Sequence, residues 1–380
     1  MKFLLIYVPN LRFSYKGDWS KRKLNEICQF FKGNGLSKSD LSNEGFPCIL
    51  YGELYTTYKN EVISDIISKT NTTLSNPFLS RNNDLIIPGS GEDPIDIAVA
   101  RAICQNDIIL GGDLNILRPK SNVSAAFLSY QLNGVRRYDI AKKAQGKSIV
   151  HLHNSDLKEV LVSIPTYNEQ LHIVKLLTKV DEMIETQSKI IDDYNSLKMG
   201  IYNWMFKENC ADYKLKQLAY IVKGDQINND QLLSNGSYYM MNGGTSPSGY
   251  LDSYNVSENT ISISEGGNSC GYVQFNSSPF WSGGHCYTIQ NVNSALIENK
   301  YLYHYLKHKE KEIMNLRIGT GLPNIQKKDL ENFTIFVPSL LIQRKNLALF
   351  EMLDEKICIL NEELERLEMQ KKYLLRNMFI

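Results

Sequence analysis

A repeat constrains this chain more than any other feature. Residues 146 to 206 slide onto 319 to 379 without a gap, and 12 of the 61 positions are identical: Gly146, Asp156, Leu157, Pro165, Gln170, Leu176, Asp181, Glu182, Ile184, Lys198, Met205 and Phe206 each recur 173 positions later. Composition alone would match roughly one position in fifteen, about four in all. A second ungapped match sets "KLNEICQFFKG" (23 to 33) on "KLKQLAYIVKG" (214 to 224) at an offset of 191, and continues to Gly45 with Gly236 and Gly52 with Gly243. The offset drops by 18 between the two matches, so the first copy carries 18 more residues in its middle. A period of roughly 170 to 185 residues is a duplicated domain rather than a solenoid unit.

The closing segment of each copy sets its shape. Ile173, Leu177, Val180, Ile184, Gln187, Ile191, Tyr194, Leu197 and Ile201 step by fours and threes, and Phe350, Leu353, Ile357, Leu360, Leu364, Leu367 and Leu374 repeat the seam with "NEELERLEMQKK" supplying charge between. This is the heptad spacing of a coiled coil. Pro165 and Pro338 stand just ahead, where proline blocks backward extension of a helix. At 1.5 Å per residue a helix over 168 to 206 is about 58 Å long. A narrow stripe on so long a helix needs a partner, and the matched helix of the other copy can provide it. An antiparallel pairing follows, with two globular heads held apart by a two-helix rod in pseudo-twofold symmetry. The expected fold class is α+β. The expected domains are a first globular head over 1–166, a first spacer helix over 167–206, a second globular head over 207–339 and a second spacer helix over 340–380.

Bulk properties narrow the function. The chain has 380 residues, 43% apolar, with a formal charge of +1, so no global basic excess announces a nucleic acid. Only residues 1–150 lean positive, with 19 basic against 14 acidic side chains. "MKFLLIYVPN" is stopped by Pro9 before it reaches signal-peptide length, and no run approaches a membrane span. Seven scattered cysteines form no C-x-x-C pair, which suits reduced thiols and a cytoplasmic chain. Two related but unlike heads at a set separation suit a DNA duplex with two different half-sites.

The opening "GDWSKRKLNEI", the "GKSIVHLHNSDLKEVLVSIPTYNEQ" run with its twin "GTGLPNIQKKDLENFTIFVPSLLIQ", and the helices ending "YNWMF" and "LRNMF" together resemble the specificity subunit of a type I restriction-modification system. The resemblance covers essentially the whole chain. It implies two target recognition domains, each reading half of a bipartite site on double-stranded DNA, and helices that set the spacer and dock two modification (methyltransferase) subunits, with two restriction subunits as further partners. It also implies no catalysis and no cofactor in this chain: S-adenosylmethionine would belong to the modification subunits and ATP to the restriction subunits. The first copy departs in spelling "GKSIVH" where the second has "GTGLPN".

The interior of each copy alternates apolar and small polar residues, as in "NTISISEGGNSCGYVQF", and reads as short strands joined by Gly, Ser and Asn turns; Gly111-Gly112 corresponds to Gly283-Gly284. Asn can bind adenine bidentately, and hydroxyls and cations serve phosphate. Candidate DNA contacts are Asn34, Lys38, Ser90 and Arg101 in the first head, and Asn228, Asn229, Asn242, Ser246, Tyr250 and Asn268 in the second. A basic cluster of Arg118, Arg136, Arg137, Lys142, Lys143 and Lys147 adds phosphate contacts. Any one of these is also an ordinary solvated turn residue.

Rival chemistry is thin. "AKKAQGKS" (141 to 148) has Ala141 where a P-loop needs glycine; "SNPF" (75 to 78) lacks the second proline of an amino-methyltransferase motif; "GSG" (89 to 91) is a lone G-x-G. His304 and His308, four apart on a helix, read as exposed histidines before metal ligands, and His151 with His153 likewise. A methyltransferase or nuclease with drifted motifs, and a coiled-coil scaffold that touches no DNA, remain as alternatives.

Overall fold

The computed structural model describes residues 8–205, 211–319 and 321–380. Phe206 of the repeat, Thr320 of "GTGLPN", Cys210 and most of the opening apolar run lie outside the described residues. The chain forms two compact units, Met1–Ser188 with Glu362–Ile380, and Lys189–Asn361.

In the first unit the labelled strands are β1 Ser20–Lys23, β2 Cys28–Lys32, β3 Phe46–Ile49, β4 Val62–Ile63, β5 Asp84–Pro88, β6 Arg101–Ile103, β7 Ile109–Leu110, β8 Leu114–Pro119 and β9 Leu161–Ile164. The opening strand β1 pairs antiparallel with the closing strand β9, Ser20 opposite Ile164. A five-stranded sheet runs β2-β8-β5-β6-β4, and β3 pairs parallel with β7 at its side. Strand β5, "DLIIP", is buried along its whole length, as an apolar run covered on both faces must be. Helix α1 (Ala125–Asn133), capped by the Ser124 side chain on Phe127 N, contributes Phe127, Leu128 and Tyr130 to the core, where Trp19, Ile173, Leu177 and Phe379 also pack.

The second unit repeats this plan. Its labelled strands are β10 Ala211–Lys214, β11 Tyr220–Lys223, β12 Tyr238–Met241, β13 Thr260–Ser264, β14 Val273–Asn276, β15 Trp281–Ser282, β16 Cys286–Gln290 and β17 Thr334–Val337. Opening strand β10 pairs with closing strand β17, Ala211 opposite Val337. The sheet runs β11-β16-β13-β14, and β12 pairs parallel with β15. The helix corresponding to α1 spans Asn299–His308.

Two matched glycine pairs show why the repeat keeps them. A Cβ on Gly33 would stand 2.0 Å from the Gly111 carbonyl oxygen, and one on Gly224 would stand 2.3 Å from that of Ser282, so the lysine-glycine that ends each opening segment lets two loops touch. Gly146 and Gly319 have φ of 139° and 99° and turn the hairpins spelled "GKSIVH" and "GTGLPN", in which Gln145 pairs with His151 and Ile318 with Asn324. The different spellings therefore make one turn. That hairpin also accounts for "AKKAQGKS", which leads into a strand pair and not into the helix of a phosphate loop.

The helices α2 (Tyr167–Met205) and α3 (Leu340–Asn377) have 39 and 38 residues. Within the first unit Lys371 Nζ lies 2.7 Å from Asp181 Oδ1, and Gln187 Nε2 donates to Glu363 Oε2 at 3.1 Å. Within the second unit Lys198 pairs with Asp354, and the rings of Tyr202 and Phe350 meet edge-on at 4.4 Å. In each unit one index rises as the other falls, so the segments are antiparallel. The expected seam holds through Ile191 and then drifts: Leu197 is exposed, while Lys198 and Tyr202 turn inward. Steps of four from Tyr194 to Lys198 to Tyr202 follow the straight-helix period rather than the strict heptad.

Candidate nucleic-acid interface

The loops at one end of each sheet form the same backbone frame. Gly89 N donates to Asp113 O in the first unit, as Glu265 N donates to His285 O in the second; Leu152 N to Gly89 O corresponds to Ile325 N to Glu265 O; Gly111 N to Ile49 O corresponds to Gly283 N to Met241 O. The side chains hung on this frame differ. Where the first unit has Lys32, Gly89 and Asp113, the second has Lys223, Glu265 and His285.

In the first unit this end is concave. A groove of about 770 Å³ is lined by Ser37, Lys38, Tyr51, Glu53, Gly112 and Asp113 among others. Lys38 is exposed on it, and Ser90, itself buried, donates to Asp113 Oδ2 at 3.1 Å. Burial pulls the Lys32 ammonium below its ordinary range, with Asp113 opposing. Asn34 lies beside them, but its amide is occupied: it donates to Asn76 O and accepts from Phe78 N, both at 3.0 Å. The "SNPF" segment is thus a clasped loop whose Phe78 packs on Phe31.

Several expected contacts are not brought to this end. Arg101 is buried on β6 and donates to Leu54 O at 3.2 Å and to Tyr58 O at 2.9 Å. Arg118 sits five residues along β8 from Asp113, about 16 Å at 3.3 Å per residue, and forks onto both oxygens of buried Asp84 at 2.8 Å. Arg136 donates to the Ile380 carbonyl at 3.0 Å, and Arg137 to that of Ile95 at 3.1 Å. Lys142 is exposed and Lys143 half-buried at the end of the short helix that follows. Arg101 and the three arginines of the basic cluster are engaged within the unit, and of that cluster only Lys142 and Lys147 are exposed.

In the second unit two of the expected residues, Asn242 and Asn268, lie on the loops of this frame. Asn242 Oδ1 accepts from His285 N at 3.0 Å, Ser264 Oγ donates to Gly243 O at 2.7 Å, and exposed Asn268 follows on the turn after Gly267. Ser246 is exposed, and Tyr250 half-buried, around the turn between β12 and Gly249–Leu251. Asn228 is exposed on the loop after β11, and Asn229 opens the turn Asn229–Gln231. Lys223, Glu265 and His285 were missed by sequence reasoning, although the matched "KG" of the opening segments pointed at Lys32 and Lys223. His304 is buried against the Tyr202 hydroxyl at 2.9 Å rather than exposed. His151 and His153 stack on one another. Among the described residues no three His, Cys, Asp or Glu side chains converge as metal ligands, and no helix is long and apolar enough to cross a membrane.

The family profile for the type I restriction modification DNA specificity domain matches residues 16–193 and again 207–369, one match for each copy. The chain belongs to that family. It is a specificity chain and not a catalytic one, so the methyltransferase, nuclease and DNA-free scaffold alternatives give way. A putative type I specificity subunit of Mycoplasma genitalium is 22% identical over 98% of this chain and 96% of its own length. One from Mycoplasma pneumoniae is 34% identical over 43% of this chain and 42% of its own. A crystal structure of the type I restriction-modification S subunit from M. genitalium superposes with a TM-score of 0.68 at 21% identity, over 98% of this chain and 99% of that one. A chain from a structure of the assembly and conformational transition of the type I system does so at 0.60 and 15%, over 96% and 98%. At these identities the structural likeness speaks for the fold.

Proposed function

We propose that each copy reads one half of an asymmetric, bipartite DNA site. The recognition domains are 1–166 and 207–339, and the helical segments 167–206 and 340–380 set the interval between half-sites and dock two modification subunits. The observation that carries this is the shared loop frame with unlike side chains. A preserved backbone delivers side chains to equivalent places on the duplex, and different donors and acceptors there select different bases. We place the base-facing set on Lys32, Lys38 and Asp113 in the first copy and on Lys223, Asn242, Ser246, Asn268 and His285 in the second, with Lys142, Lys143, Asn228 and Tyr250 nearer the phosphates. Asn34, Ser90, Arg101, Arg118, Arg136 and Arg137 hold the first unit together. S-adenosylmethionine and ATP are assigned to the modification and restriction subunits, and the assembly to the cytoplasm, where the chromosome lies.

The test is an exchange of residues 214–318 for the same segment of another family member, read by mapping methylated adenines across the genome. One half-site should change and the other stay. A change in both, or in neither, would overturn the modular reading.

A further inference from the structure

The Lys223, Glu265 and His285 cluster is built more tightly than a solvated turn requires. Lys223 Nζ lies 2.6 Å from Glu265 Oε1, and the Tyr287 hydroxyl donates to the same oxygen at 3.0 Å. Glu265 Oε2 is inaccessible to solvent and makes no hydrogen bond among the described residues, with His285 Nδ1 3.6 Å away. The Glu265 backbone is tied at both ends, its N–H to His285 O and its carbonyl to Ile325 N, each at 2.9 Å. The Glu265 side chain is 12% exposed, whereas those of Lys223 and His285 are 51% and 62% exposed. A nearly buried carboxylate thus stands behind two outward side chains: the Lys223 ammonium, and the His285 imidazole, which in its protonated form turns Nδ1–H toward the carboxylate and keeps Nε2–H as an outward donor.

We infer that Lys223 and His285, oriented by Glu265, recognise a guanine in the half-site read by the second copy; this rests on the half-site reading above. Guanine alone offers the major groove two acceptors, N7 and O6, with no donor between them. Adenine and cytosine each present an amino group that two donors would repel, and thymine has one acceptor beside a methyl. A phosphate role fits less well. The lysine charge is offset by the carboxylate beneath it, so the pair adds little net attraction for an anion, and what remains is direction. Glu265 is a positioning residue here, since His285 and Lys223 cover it. The first copy supports the assignment by contrast: it keeps the lysine as Lys32 but sets Asp113, an acceptor, where the second has His285.

The test uses the full complex with its modification subunits and duplexes carrying each of the four bases at every position of the second half-site. His285→Ala alters an exposed side chain and leaves the Glu265 contacts to Lys223 and Tyr287 in place, and Lys223→Ala, which leaves Glu265 the Tyr287 hydroxyl, is read only after its urea midpoint is checked. Each should cut the preference for guanine at one position by about tenfold or more, with the other positions and the first half-site unmoved. His285→Asp should turn that preference toward adenine or cytosine. Equal losses on all duplexes with a shallower salt dependence would show phosphate contact and overturn the inference, as would unaltered discrimination. If the segment exchange also leaves both half-sites unchanged, the half-site reading falls with it; if the exchange moves one half-site, only the guanine assignment falls.

Discussion

Gln170 and Gln343 are both fully buried and perform one task twice. Gln343 Oε1 accepts from Glu298 N, the residue that caps the helix Asn299–His308, while its Nε2 donates to Leu296 O and Pro338 O, all at 2.8 Å. Gln170 does the same with Ser124 N at 2.9 Å, Asn122 O at 3.3 Å and Pro165 O at 3.1 Å. Each stitches the start of a long helix to the cap of its recognition domain's helix, and leaving those buried groups unpaired would cost about 1–3 kcal/mol apiece. His304 is the residue whose environment sequence reading missed. Burial pushes its imidazole down to about 4, with Asp354 opposing, Lys198 and Lys300 adding to the lowering, and Tyr202 and Tyr303 packed beside it. An unfolded histidine titrates near 6.5, so below that pH the unfolded chain takes up a proton that the folded one refuses. Stability of the second unit should therefore fall as pH drops from about 6.5 to about 4, by up to about 3 kcal/mol. His304→Gln, the residue found at the matching position 131, should remove that part of the slope. Equal pH dependence of urea midpoints for the two proteins would contradict this.

At the scale of elements, the repeated Asp and Lys are the register marks of the two long helices. Asp181 and Lys198 in α2 recur as Asp354 and Lys371 in α3, and each aspartate meets the lysine of the opposite helix. The two pairs are unequal in burial. Lys371 also reaches Glu61 at 2.6 Å, and the Tyr130 hydroxyl donates to Asp181 at 2.7 Å, with Lys371, Glu61 and Asp181 side chains 17%, 8% and 5% exposed. Burial raises the Asp181 carboxyl above its usual range against the pull of Lys371. Removing Lys371 strands two carboxylates, so Lys371→Met should destabilise the first unit by about 3–5 kcal/mol. Asp354 is 41% exposed, and Lys198→Met should cost the second unit about 1 kcal/mol or less. Amide hydrogen exchange resolved by unit checks both; similar losses in the two units would refute the difference in burial as its cause.

At the scale of the whole molecule, the proposed ruler makes a geometric demand. Adding seven residues to α2 after Ser188 and seven to α3 after Asn361 keeps the antiparallel register and lengthens each helix by about 10 Å, close to three base pairs at 3.4 Å each. The unread interval in the methylated site should grow by about that much, or recognition should fail because the second copy is turned out of the groove. Adding the heptad to one helix alone should break the Asp and Lys register and unfold the pairing. An unchanged site at full modification after the double insertion would defeat the ruler.

Duplication, heptad spacing and the opening and closing segments were legible in the sequence because they are local or periodic, and periodicity survives divergence of everything between. From them came two α+β units, long antiparallel helices and the family. The side chains proposed to face the bases were not legible to the same degree. Arg101 and Arg118 are chemically good DNA ligands, yet carbonyls and a carboxylate distant in sequence claim them. Lys223, Glu265 and His285 come from three strand ends up to 62 residues apart, and only the folded sheet sets them side by side. A polar residue's partner is decided by tertiary contact, since the same side chain satisfies a buried carbonyl or a base edge equally well.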